Sequence, residues 1–112
     1  MANVIAYIGL DHGTGEWAEA QAYDAIANRL TQAGIDACTA TPAMGMYKKQ
    51  WERSIRLEVM GYEAGTVVTV LEQLTHDLAQ ECIGYTVDGG AILFTANATV
   101  YEERAALALA TA

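Results

Sequence analysis

The chain opens with Val4-Ile5-Ala6-Tyr7-Ile8, a short apolar run of β-type residues closed by Gly9 and the polar loop Asp11-His12-Gly13-Thr14-Gly15. Such a run predicts a first strand. From Glu16 to Ala33 the spacing of Ala22, Ile26, Leu30 and Ala33 follows one helical face. Glu16 and Glu19 suit the start of that helix, and Gly34 suits its C-terminal stop. Ile35 to Thr41 predicts a modest strand ending at Pro42, followed by a loop through Trp51. Beyond it Ile55, Leu57 and Val59 alternate with Ser54, Arg56 and Glu58, the period of a half-buried strand, with Glu52 on its polar side. Val67, Val70, Leu71, Leu74 and Leu78 recur at three- and four-residue steps, which predicts a second helix from about Thr66 to Gln80 capped by Thr66 or Gly65. Ile83 to Val87 and Ala91 to Ala96 then read as strands joined by the tight-turn sequence Asp88-Gly89-Gly90. The tail from Tyr101 to Ala112 is rich in Ala and Leu and reads as either a short helix or a frayed end.

The predicted order is β-α-β-β-α-β-β. It corresponds to an α+β fold, a ferredoxin-like two-layer α/β sandwich with an extra strand, in which two helices cover one face of an antiparallel sheet. The opposite face is expected to carry Tyr7 or Ile8, Leu93 or Phe94, and part of the fourth strand. An apolar face with nothing in the chain to cover it predicts self-association as a closed homo-oligomer. At 112 residues, with no repeat, low-complexity tract or linker, the chain is expected to form a single domain over residues 1–112.

Charge narrows the partners. Fourteen Asp and Glu against six Lys and Arg leave a formal charge of -8, which repels phosphate backbones and anionic membranes, so no nucleic acid is expected. No apolar run reaches the roughly 18 to 20 residues of a membrane span, and the N-terminus lacks the basic start of a signal peptide, so a cytoplasmic protein is expected. Cys38 and Cys82 have no CxxC spacing and sit in apolar segments, which predicts buried thiols rather than a disulfide or metal site.

Against that acidic background four of the six basic residues, Lys48, Lys49, Arg53 and Arg56, fall within nine positions. The same stretch holds Tyr47, Trp51 and Glu52, so it offers a cationic rim, two aromatic surfaces and a carboxylate to a small polar ligand with an aromatic part. The plainer alternative is a row of solvated charges that protects a sheet edge from aggregation. Asp11-His12-Gly13-Thr14-Gly15 places two glycines before a helix, but its spacing fits neither GxGxxG nor GxxxxGK[ST]. His12 suits acid or base work near neutral pH, although a lone His in a polar turn is more often solvated. His76, beside Asp77, reads as a surface residue. No second His or acidic partner stands at a ligand spacing, so no metal site is expected. Asn97-Ala98-Thr99 matches the glycosylation pattern but means little in a chain expected to be cytosolic. No Ser or Cys carries the turn signature of a nucleophile.

Gly45-Met46-Tyr47-Lys48, followed by Glu52-Arg53-Ser54-Ile55-Arg56-Leu57, resembles the bacteriophage S-adenosylmethionine lyases, formerly described as hydrolases. Further similarity lies in Gln80-Glu81-Cys82-Ile83 and in Gly90-Ala91-Ile92-Leu93-Phe94-Thr95, so the resemblance spans roughly residues 45 to 96. It implies a PII-like α/β sandwich assembled as a trimer, with active sites at the subunit interfaces. It also implies that the family's essential tyrosine and glutamate fall on Tyr47 and Glu52, with Lys48, Arg56 and Met46 as substrate-binding neighbours. The loop between tyrosine and glutamate is shorter here than in the family. Glu58 is therefore the competing carboxylate if spacing from Tyr47 governs the match. The implied chemistry uses no cofactor: the substrate's own carboxylate attacks its γ-carbon and releases methylthioadenosine and homoserine lactone. Tyr47 is then expected to hold Glu52 by a hydrogen bond, and Glu52 to orient the cationic substrate.

Overall fold

A computed structural model describes residues 1–111. Along the chain run strand β1 (Ala2–Gly9), helix α1 (Glu19–Gln32), strands β2 (Thr39–Tyr47) and β3 (Gln50–Tyr62), helix α2 (Ala64–Asp77), strands β4 (Gly84–Val87) and β5 (Leu93–Phe94), and helix α3 (Ala98–Thr111). The strands form one antiparallel sheet in the order β2-β3-β1-β4-β5. Its first four strands have the split βαβ order expected from the sequence, and β5 adds an outer edge.

Strand alternation decides which side chains meet the helices. Val4, Ala6 and Ile8 of β1 and Ile55, Leu57 and Val59 of β3 are buried, together with Ala22, Ile26 and Leu30 of α1 and Val67, Val70, Leu71 and Leu74 of α2. Full burial of a side chain such as Leu71 or Leu74 contributes about 1.5–3 kcal/mol, so this layer supplies most of the stability. Arg29 of α1 donates two hydrogen bonds, of 2.6 and 2.8 Å, to the Asp77 carboxylate at the end of α2. Both side chains are partly exposed, so the pair aligns the helices more than it stabilises them.

The region between the predicted second and third strands differs from expectation. Instead of a loop, residues 43–51 continue a hairpin in which Met44 pairs with Arg53 and Tyr47 with Gln50. Pro42 stays inside β2 because β2 is an edge strand, where a missing N–H costs no ladder bond. The two-residue turn, Lys48-Lys49, has φ of 50° and 66°. A primed turn requires positive φ at both central residues, which Asn-Gly signals and Lys-Lys does not. Helix α1 begins three residues and ends one residue inside its predicted limits, whereas α2 begins two residues before the predicted start and ends three residues before the predicted end.

Two further expectations change. Cys38 is exposed, since Ile35 takes the buried position in the connection before β2, and Cys82 is only partly buried. The uncovered sheet face is mixed rather than apolar. Tyr7 and Phe94 lie there as expected, but Arg56 and Glu58 share it, and Ile8 belongs to the core. The tail is helical as α3, and Ala112 lies outside the described residues.

Helix α2 ends in a Schellman turn, in which Ala79 N–H donates to the His76 carbonyl and Gln80 N–H to the Thr75 carbonyl. Ala79 takes the left-handed position, φ 50°, that glycine usually fills. Two side-chain bonds tie the turn to the segment between β1 and α1: Trp17 Nε1 donates to the Leu78 carbonyl at 2.8 Å, and Gln80 Nε2, from the turn itself, donates to the Asp11 carbonyl at 2.8 Å. The start of α1 and the end of α2 are thereby locked together. Replacing Ala79 by Gly should raise equilibrium stability by about 0.5–1 kcal/mol, because relief of the left-handed strain exceeds the added chain entropy. A urea titration would show it as a higher midpoint at unchanged slope.

Candidate active site

At one end of the uncovered sheet face, strand pairing assembles a patch with very small side chains at its centre. Gly45 of β2 lies opposite Glu52 of β3, and Gly9 of β1 opposite Ser54. A cleft of about 520 Å³ opens over this patch, bounded by the β2–β3 hairpin, by Phe94 and Ile92 on the far edge, and by the segment after α2. That volume falls in the range of small-molecule sites.

Glu52 sits on the cleft floor. A Cβ added to Gly9 would come 2.7 Å from one Glu52 carboxylate oxygen and 2.9 Å from Gln80 Oε1, closer than real atoms approach. Only glycine at position 9 lets the carboxylate lie against the β1 backbone. Its pKa is raised above the ordinary glutamate value, first by burial, then by the charge of Asp11 and more weakly of Glu16. A backbone hydrogen bond from Asp11 and the charge of Arg104 oppose that shift. A carboxylate kept partly out of water beside like charges is prepared for a cation.

A second carboxylate, Glu81, stands at the cleft wall just after the Schellman turn. Its side chain is 9 % exposed and has a cation on each side: Lys48 Nζ at 3.1 Å from Oε2, and Arg104 Nη1 at 3.7 Å from Oε1. Tyr47 Oη donates to Glu81 Oε2 at 3.0 Å. Burial, the neighbouring Cys82 thiol and Glu81 all push the Tyr47 phenol well above its usual pKa, so it remains a donor throughout the physiological range.

Tyr47, Glu52, Lys48 and Met46 all border this one cleft. Tyr47 bonds Glu81, however, and not Glu52 as expected. Arg56 does not line the cleft; it lies one residue pair further along the sheet, 3.8 Å from Glu58. Glu58 is six residues along β3 from Glu52, roughly 20 Å at the rise of a strand, and also lies outside the lining. The expected cationic rim is dispersed by alternation: Arg53 faces the helix side and reaches Glu16 and Glu19, at 3.6 and 2.9 Å, while Arg56 faces the open side. His12 packs on Trp17, ring centroids 4.8 Å apart, and is not part of the lining. Glu81 had a legible trace as half of a polar pair between Leu78 and Ile83. Arg104 had none beyond being a cation in an Ala- and Leu-rich tail.

Three carboxylates, Asp11, Glu52 and Glu81, thus face two cations, Lys48 and Arg104, and leave the cleft one negative charge in excess. Tyr7, Trp51 and Phe94 add aromatic surface, with Trp51 69 % exposed. Among the described residues no cluster of three His, Cys, Asp or Glu side chains has the geometry of a metal site, and no helix is long and apolar enough to cross a membrane.

The fold and cleft define a ferredoxin-like α+β sandwich with an acidic, aromatic-lined site at one end of its open sheet face. Among solved structures it is similar to a phage SAM lyase in complex with S-methyl-5′-thioadenosine, with a TM-score of 0.66 and 15 % identity over 86 % of this chain and 89 % of that one. It is also similar to a phage SAM lyase in its apo state, with a TM-score of 0.66 and 19 % identity over the same shares. At these identities the likeness is one of fold. No protein-family model and no curated protein sequence matches the chain.

Because Glu52 has a raised pKa in the folded protein, folding favours its protonated form. Its contribution to stability is full below the unfolded glutamate pKa and is lost as pH rises through the higher folded value. Glu52→Gln should therefore melt higher than the parent near neutral pH, and the difference should shrink as pH falls toward 4. Parallel thermal melts of the two proteins from pH 4 to 8 would measure it.

Proposed function

We propose that this protein degrades S-adenosylmethionine by letting the substrate's carboxylate displace its own sulfonium. The observation that carries this reading is the half-buried Glu52 carboxylate on the floor of an acidic, aromatic-lined cleft. The fold's likeness to phage SAM lyase bound to S-methyl-5′-thioadenosine supports it. At neutral pH the substrate carries a sulfonium, an ammonium and a carboxylate, one net positive charge, which complements the excess negative charge of the cleft. The aromatic side chains Tyr7, Trp51 and Phe94 suit stacking with a purine.

In the proposed reaction a carboxylate oxygen of the substrate forms a bond to its γ-carbon while the γ-carbon–sulfur bond breaks. The electron pair goes to sulfur. The products are a neutral thioether, methylthioadenosine, and homoserine lactone, so no proton, water, metal or cofactor enters the step. Holding nucleophile and carbon in line contributes on the order of 7–11 kcal/mol, which allows a site without a nucleophile or base to be effective. Positive charge on sulfur disappears as the bond breaks, so a carboxylate placed against sulfur would stabilise the ground state and slow the reaction. Glu52 therefore serves by fixing the ammonium end, with Lys48 and Met46 at the wall and Tyr47 holding the Glu81 side of the cleft in shape. Arg56 has no direct part.

Assembly as a homo-oligomer, a trimer with shared clefts, belongs to the same proposal. Exposed apolar groups border the cleft from both sides: Met44, Met46 and Trp51 on the hairpin, and Ile92 and Phe94 at the β5 edge. In an infected bacterium, loss of the methyl donor would blunt methyl-dependent restriction.

Purified protein incubated with S-adenosylmethionine should release methylthioadenosine and homoserine lactone, resolved by liquid chromatography and mass spectrometry. Binding without product would overturn the reading in favour of a module that only recognises the ligand. Glu52→Gln and Gly9→Ala should each lower turnover at least a hundredfold, as expected when a positioning group is displaced by about 1 Å or loses its charge, whereas Glu58→Gln should leave it near the parent value. Light scattering should give a mass three times that of the chain.

A further inference from the structure

Arg104 joins three segments that are far apart in sequence. Its Nη2 donates to the Ala79 carbonyl at 3.1 Å, and its Nη1 lies 3.7 Å from Glu81 Oε1. At Gly13 an added Cβ would come within 3.3 Å of its Nε, so the guanidinium lies against the loop that follows β1. It also belongs to the cleft wall. We propose that Arg104, carried there by α3, is a positioning residue of the site that fixes Glu81, and through it Tyr47 and Lys48, against the loop behind Glu52.

The argument turns on the two oxygens of Glu81. One accepts from Tyr47 and Lys48, and the other faces Arg104. A carboxylate this deeply buried is held in one orientation only if both oxygens have partners. Without the guanidinium, Glu81 is free to rotate toward water, and the Tyr47 hydroxyl loses its acceptor. Guanidinium suits the task because its planar fork presents several donors at fixed angles, which an ammonium does not. A second consequence reaches Glu52. The charged groups acting on it are Asp11 and Glu16, which oppose its ionisation, and Arg104, which favours it. Arg53 is engaged with Glu16 and Glu19 on the other face of β3, whereas Arg104 acts on this carboxylate from the cleft wall. The C-terminal helix thus contributes to the site, although neither its composition nor its position in the chain marks it as functional.

The activity part of this proposal rests on the reading of the cleft as an S-adenosylmethionine site; the positioning part does not. Carbon-13 NMR on the full chain, observing the Glu52 carboxyl and the Tyr47 ring carbon that bears oxygen, tests the latter without substrate. In Arg104→Met the Glu52 titration midpoint should rise, and the Tyr47 signal should move as its bond to Glu81 is lost. Arg104→Lys should restore most of the Glu52 midpoint, by charge, and little of the Tyr47 signal, since the fork is missing. In the activity assay Arg104→Met should lower kcat/KM about tenfold or more at neutral pH and move the acid limb of the profile upward with the Glu52 midpoint. Unchanged Glu52 and Tyr47 signals in a folded Arg104→Met protein would overturn the proposal. Should that variant fail to fold, Arg104→Lys decides: an unmoved Tyr47 signal overturns the proposal and a moved one supports it. If the parent protein does not turn over S-adenosylmethionine, the functional reading fails while the two NMR signals still decide the role of Arg104.

Discussion

The site depends on one close approach, the Glu52 carboxylate against the β1 backbone at Gly9. An ionised carboxylate held partly out of bulk water is costly, and here Asp11 and Glu16 add to the cost. The fold tolerates it because Gly9 leaves space, because the Asp11 N–H points at the carboxylate, and because Arg104 supplies a nearby cation. Each of these supports comes from a different segment. Their convergence explains why the loop after β1, the turn after α2 and the C-terminal helix are joined by so many side-chain-to-backbone bonds. Trp17 and Gln80 both donate to the carbonyl of Leu78, which holds that junction rigid.

Two layers of charge follow from the same geometry. The outward layer is the acidic surface of a chain with a formal charge of -8. The inner layer is the cleft, where carboxylates and cations nearly balance and leave a single negative charge in excess. Near-balance has a physical purpose in the proposed reaction, in which sulfur loses its positive charge. A strongly anionic pocket would hold the substrate and resist the change, whereas one weakly anionic at the ammonium end orients it with little penalty. The aromatic and thioether side chains of the hairpin arm then supply contact area that is indifferent to that charge change.

How far the site was legible varies with the range of the interaction. Tyr47 and Glu52 lie on neighbouring strands of one hairpin, and their separation in sequence is short enough for a motif to record. Strand parity alone puts Glu52 on the uncovered face. Parity could also have separated Arg53 from Arg56, and a rim of four cations was the wrong inference because alternation sends them to opposite sides. The Lys48-Lys49 turn was hidden because its positive φ values are imposed by the strands on either side rather than by glycine or asparagine. Pro42 signalled a strand end, and the signal failed because its missing donor points away from the sheet. Gly9 read as a strand terminator, whereas its value lies in a contact with a residue 43 positions later.

By itself the sequence determined the order of the strands and of the two packed helices, the buried faces of α1, α2 and β3, and the stretch that holds the principal carboxylate. Those properties are periodic or local, and periodicity survives without knowledge of neighbours. Only the tertiary structure decided that Glu81 rather than Glu52 receives the Tyr47 hydroxyl, that Glu58 is remote from the cleft, and that the tail returns to place Arg104 at its wall. These depend on where a helix ends to within one residue and on which strand edges meet, distances that no local pattern encodes.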